Sequence, residues 1–365
     1  MQNLTRASEE LFRRSPDERF GSLIELWQFC QNEKQHAAEH WPSPQTLRPN
    51  CQPGTVVLGF DMDREFYLND WSFSQLCRLA GVSKDTLNRL SPETASRALQ
   101  ETMPTEGKPM QVLTAGTTVR AIHGTAYTRL YNADVLTMLR EFATDFQPPH
   151  QAAEGLGPPA AADDVPPWET PEPTSRPKGG TGLYCGEQDM FCFLIDPTGW
   201  AEIDGEAFAP GFFVWNSEVG RRSVGIQTFW FQAICQNHIV WDAVEVAEFT
   251  RKHTANVHDS LAEIRRRVEA LVEKRDQRRD GFVQVVRKAM QTRLGTDTEE
   301  ALKVLQQRGI QQKLAKQAIE SAQQQGALTI FAVVDALTQM ARNLVNAGDR
   351  TEADEKASAL LALAV

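Results

Sequence analysis

Residues 147–180, QPPHQAAEGLGPPAAADDVPPWETPEPTSRPKGG, constrain the rest of the chain most. They hold nine of the nineteen prolines. A stretch this poor in apolar side chains does not recover the entropy lost on ordering, so no packed core is built from it. The 365 residues must therefore fold on either side of it, and the stretch itself reads as a linker or a long insertion, extended and partly polyproline II. Trp168 is its one large apolar residue, placed to dock on the body or to act as a recognition anchor.

The two flanks carry different periodicities. From Gly182 to Trp241 the sequence alternates, with aromatic and β-branched residues, and turns are expected at Asp196-Pro197 and Asp204-Gly205. The run Phe212–Trp241 contains seven Phe or Trp. From Asp259 to Val345 apolar residues recur at helical spacing, with Leu261, Ile264, Val268, Leu271 and Val272 as one stripe and Phe282, Val286 and Met290 continuing it.

The part before residue 147 is mixed. A helix is expected over 22–30, strands over 55–60 and 65–70, and helices over 71–103 broken at Gly81 and Pro92. A hairpin around His123-Gly124 and a helix over 132–143 capped by Asn132 or Asp134 follow. The fold class is thus α+β. An antiparallel β-sheet core (181–258) is followed by long amphipathic helices (259–365), with an N-terminal helix-rich α+β part (1–146). No internal repeat is visible.

Six scattered cysteines suit reduced thiols rather than a disulfide framework. No apolar run is long enough for a membrane helix, and the polar N-terminus reads as lacking a secretory signal, so a cytoplasmic protein is expected. The net charge of −10 argues against a nucleic-acid partner as a bulk property. Its distribution is uneven, however. Residues 181–250 carry 10 acidic and 2 basic side chains, whereas 251–320 carry 16 basic and 10 acidic. Such asymmetry marks either a polyanion contact or a solvated helical face.

Few stretches carry chemistry. FSQLCRLAGVSKDTLNRL (73–90) has the form of a helix-turn-helix that would present Lys84, Asn88 and Arg89, and a packed helical hairpin shows the same form. Only Cys235 and His238 have ligand-like spacing, so no metal is expected. No nucleophile elbow, zinc-protease motif or phosphate loop occurs, and an enzyme with a cofactor is not expected. In the basic segment Arg267, Lys274 and Arg278 lie at helical spacing and are expected on one face. Arg275 and Arg279 fall on the bearing of the apolar stripe, where the helix would leave the core or face a partner.

GLYCGEQDMFCFLID, GFFVWNSEVGRRSVGIQTFWFQAICQNHIVW and the following RKHT resemble the phage/plasmid-like proteins of domain-of-unknown-function family 932. The matched features are the turn Asn216-Ser217-Glu218-Val219-Gly220, Cys235 and Asn237 of a Cys-x-Asn, and the pair Arg251 and His253. The resemblance spans about residues 55–345. It further implies kinship with single-strand annealing recombinases, of the Red-beta, Erf and Rad types, which assemble as rings or helices. It thus implies a homo-oligomer holding single-stranded DNA in a basic groove, with no bound nucleotide and no catalytic residue. Arg221, Arg222, Arg251, Lys252 and His253 are the phosphate-contact candidates by motif position, joined by Arg267, Lys274 and Arg278. The alternative is a regulatory or interaction protein of a mobile element, reading duplex DNA through 73–90 or inhibiting a host system. Most aromatics of Phe212–Trp241 are expected in the sheet, among them Phe213, Trp215, Trp230 and Trp241.

Overall fold

A computed structural model describes residues 15–61, 64–152, 182–233, 237–240 and 248–365. Trp168, Cys235 and Trp241 lie outside the described residues.

The N-terminal half supplies β1 (Glu18–Arg19), α1 (Leu23–His36), β2 (Ala37–His40), β3 (Arg48–Gln52), β4 (Thr55–Asp61) and β5 (Arg64–Leu68). Helices α2 (Asp70–Ala80), α3 (Lys84–Asn88) and α4 (Pro92–Thr102) follow. Then come β6 (Met110–Ala115), β7 (Thr118–Gly124), α5 (Asn132–Phe142) and the short α6 (Pro149–Ala152). The second half adds β8 (Leu183–Cys185), β9 (Met190–Ile195), β10 (Ala201–Ile203), β11 (Glu206–Asn216), β12 (Val224–Gln232), β13 (Asn237–Ile239) and β14 (Phe249–Arg251). Six helices close it: α7 (Ser260–Glu273), α8 (Arg275–Gln291), α9 (Thr298–Gln307), α10 (Gln312–Gln325), α11 (Ile330–Ala341) and α12 (Ala347–Ser358). The fold is α+β.

Two sheets organise these elements. The larger runs β1-β8-β9-β11-β12-β13, with β10 on β11 and β14 on β12, and all its pairings are antiparallel. The smaller runs β2-β6-β7-β5-β4-β3 and has one parallel pairing, β5 with β7.

Strict alternation places the two residue sets of the larger sheet on opposite faces. Leu183, Cys192, Leu194, Phe212, Val214 and Ile226 pack under α1, α5 and α7. Phe191, Phe193, Phe213, Phe229 and Phe231 face the other way, with Ala347 of α12 in the same cluster. Farther along the first face, Trp230 stacks on Phe282 of α8 at 4.1 Å between ring centroids. Both faces are covered, which is why these strands read as nearly continuous apolar runs. Phe213 and Trp230 are buried as expected, and Trp215 is half-buried across Gly225. A Cβ on Gly225 would sit 2.3 Å from the Trp215 ring, so only glycine permits that crossing.

Three local expectations change. The hairpin of the smaller sheet joins β6 to β7 through Gly116, left-handed at φ 56°, and does not turn at His123-Gly124. The N-cap of α5 is Tyr131, with no capping hydrogen bond from its own side chain. Finally, α1 and α5 belong to the core of the larger sheet although both precede the proline-rich stretch. Among the described residues no helix is long and apolar enough to cross a membrane.

Candidate nucleic-acid interface

In the turn between β11 and β12, Asn216, Ser217, Glu218 and Val219 are 0–3% exposed. Strand β11 delivers them into the seam between the two sheets, where nearly every polar group finds a partner. Asn216 Nδ2 donates to the Leu130 carbonyl at 2.9 Å and to Asn132 Oδ1 at 2.8 Å. Ser217 Oγ donates to the Gln188 carbonyl and accepts from the Arg221 N–H. The Val219 carbonyl accepts from Trp71 Nε1 at 2.7 Å and from His123 Nε2 at 2.9 Å.

Glu218 is the centre of this seam. Its Oε1 pairs with Arg120 at 2.6 Å, and its Oε2 accepts the Asn132 N–H at 3.1 Å. That N–H is the first of α5, so Glu218 supplies from across the chain the cap that Tyr131 lacks, at the positive end of the helix dipole. The Glu218 carbonyl accepts from Arg129 and from the Tyr127 hydroxyl. Gly220 closes the turn at φ 73°, and a Cβ there would lie 2.5 Å from the His123 ring. Asn216, Ser217, Glu218 and Gly220, singled out in the sequence as a motif turn, thus join the two sheets.

Behind the turn, His123, Tyr127 and His253 form a stack, at 3.8 Å and 5.3 Å between successive centroids. Burial lowers the pKa of both His123 and His253 to about 4. His253 is therefore neutral and 7% exposed, which removes it from a phosphate-binding set. Arg222 is also committed, donating to Asp189 and Glu352 at 2.9 Å each. Asn237 is fully buried and donates to Asp335 and Gln232.

The basic segment divides in the same way. Helix α7 ends before Lys274, whose φ −100° and ψ 14° break the register, and α8 restarts on a new bearing. Arg278 then falls on the buried side with Phe282 and Val286, 2% exposed, and does not share a face with Arg267 and Lys274. Arg275 is paired with Asp196, and Arg279 with Asp276 and Asp280, so neither extends an apolar stripe toward a partner.

A smaller set of cations remains on the surface. Strand pairing sets Arg251 opposite Val224, which brings Arg251 and Lys252 beside the Arg221 corner. Arg221 and Lys252 are exposed, and Arg221 lies over the Trp71 ring at 5.5 Å. Arg266 and Arg267 of α7 continue the line, with side chains 72% and 35% exposed. Both contact Glu263, whose carboxyl is held below its usual range by the Arg267 hydrogen bond first, then by the charges of Arg266, Arg267 and Arg251. Lys274, also exposed, stands two turns beyond Arg267.

In the helix-turn-helix-like segment, Asn69 and Ser72 form a capping box for α2, and left-handed Gly81 ends it. Helix α3 has only five residues, and its Lys84 pairs with Asp70 and donates to Ser74 of α2. Lys84 thus fastens a helical hairpin, and of the three presented residues Arg89 alone is exposed. Among the described residues no group of three or more His, Cys, Asp or Glu could hold a metal ion. Compared with family models, curated proteins and solved structures, the chain gives no match.

Proposed function

We propose that this chain is a non-enzymatic, oligomeric protein that binds single-stranded DNA and pairs complementary strands, in the recombination or replication of a phage or plasmid. The observation that carries the reading is the β12–β14 pairing, which sets Arg251 opposite Val224, three residues after Arg221, while Arg251, Arg266 and Arg267 all act on the Glu263 carboxyl of α7. A row of cations tracks a phosphate backbone, and strand pairing requires neither a bound nucleotide nor a nucleophile.

The test is fluorescence anisotropy with a labelled single-stranded oligonucleotide, together with the elution volume of the protein. Elution well above monomer mass is expected. With about four phosphate contacts, affinity should fall roughly 50-fold between ~50 and ~200 mM salt. The triple variant Arg221→Glu/Lys252→Glu/Arg266→Glu should lose binding at low salt while melting normally. Unchanged binding by that variant, or no binding by the wild type at low salt, sinks the reading. Preference for a defined duplex would instead favour the regulatory alternative.

A further inference from the structure

A cavity of about 510 Å³ lies beside the Glu218 seam, between α1, the end of β8 and the open end of the smaller sheet. Exposed Ser15, Pro16 and Glu18 form its rim, and Arg120 lines its wall. Two thiols also line it. Cys30 comes from α1 and Cys185 from the last position of β8, and their Sγ atoms stand 3.9 Å apart across 155 residues of sequence. All five described cysteines are free and buried, but these two alone border the cavity.

We propose that Cys30 and Cys185 form an oxidative modification site, closing to a disulfide when a small hydroperoxide enters this cavity. The Cys30 thiolate attacks the terminal peroxide oxygen. The O–O bond breaks, the alcohol or water leaves with a proton, and Cys30 becomes a sulfenic acid. The Cys185 sulfur then attacks the Cys30 sulfur, the S–O bond breaks, and hydroxide leaves to take up the Cys185 proton as water. Two thiols and one hydroperoxide give one disulfide, one alcohol (water, from hydrogen peroxide) and one water.

The contact with Cys30 first, and burial second, push the Cys185 thiol up, with Arg120 opposing them. In the proposed order Cys30, carried on α1, meets the oxidant and Cys185 resolves it; both sulfurs line the cavity, 3.9 Å apart. Asn132 Nδ2, 3.9 Å from Cys185 Sγ, steadies the second sulfur. Because the sulfurs already touch, closure needs side-chain rotation and a small approach of α1 to β8. The bond would staple the N-terminal helix to the larger sheet next to the Arg120–Glu218 pair.

The experiment treats the folded, fully reduced protein with hydrogen peroxide, then alkylates under denaturing conditions and maps peptides by mass. The expected product is a cross-linked peptide pair containing Cys30 and Cys185, short of two hydrogens and restored by dithiothreitol. The oxidised protein should melt about 3–5 °C higher than the reduced one. In Cys185→Ser the reaction should stop at a Cys30 sulfenic acid, trapped by dimedone. The proposal is overturned if both cysteines remain alkylatable, if Cys30 proceeds to sulfinic acid with Cys185 free, or if either pairs with another cysteine. None of these readouts depends on DNA binding.

Discussion

Residues 216–220 and the cations that begin at Arg221 are adjacent in sequence and opposite in role. In the turn, Glu218 is 3% exposed and its carboxylate and carbonyl are held by Arg120, Arg129, Tyr127 and Asn132. In the strip, Arg266 is 72% exposed and its partner Glu263 belongs to the same helix. The first arrangement takes charge out of water and repays the cost with close partners, so removing one member strands the rest. The second leaves charge in water, where a pair contributes little and stays available to another anion. Polar residues at a sheet corner thus divide by whether their partners lie on a different part of the chain.

The sharpest test of that division is Glu218→Gln. The variant keeps the size and loses the charge, leaving the Arg120 guanidinium, 10% exposed, with Glu33 at 3.6 Å as its remaining anion among the described residues. Urea denaturation should show a loss of about 3 kcal/mol. A loss under ~1 kcal/mol would mean that the seam does not depend on this charge and would erase the contrast with the strip.

Much of the fold was legible because it is periodic. Alternation along 182–241 assigned Phe213 and Trp230 to the sheet interior, and of the stripe Leu261, Ile264, Val268, Leu271 and Val272 the middle three are buried while Val272, at the end of α7, is 40% exposed. The site was less legible because its partners are distant. Glu218 meets Arg120 and Asn132 at separations of 98 and 86 residues, and no spacing rule reaches that far. A run of Asn, Ser and Glu straight after an apolar strand signalled a special corner but not whether it faced water. The face shared by Arg267, Lys274 and Arg278 failed for a local reason. One residue with ψ near zero at Lys274 resets the helical bearing, and a count of sevens and fours assumes an unbroken helix. The β6–β7 turn was misplaced because the glycine with positive φ is Gly116, not Gly124.

Acid should act on the turn and spare the strip. The pKa of each of His123 and His253 is lowered by burial to about 4, below the ordinary 6.5. The unfolded chain therefore binds protons that the folded chain refuses, and stability present above pH 6.5 is lost as pH falls toward 4. Each histidine should cost on the order of 1–2 kcal/mol between pH 7 and 5. Asp354 works in the opposite sense, because burial pushes its carboxyl up to about 7 and the folded state gains from its protonation over the same interval. The wild-type curve mixes these effects, so the measurement is a difference. His253→Phe keeps a ring against Tyr127 and removes one titration. It should lose about 1–2 kcal/mol less than wild type between pH 7 and 5, and parallel pH curves would contradict the buried, neutral assignment.

The smallest effect belongs to the strip and tests it from the other side. Arg266→Ala removes a side chain 72% exposed and paired only within α7, so stability should change by at most ~0.5 kcal/mol. The strip's charges, if they serve a ligand, are separable from folding: the same substitution should weaken oligonucleotide binding and lower the salt slope by about one phosphate contact. Equal damage to stability and binding would place Arg266 with Glu218, as a residue that holds the fold. A salt slope left unchanged would take it out of the row of phosphate contacts. Only a near-neutral melt combined with a shallower salt dependence keeps the turn and the strip as two different devices built from neighbouring charges.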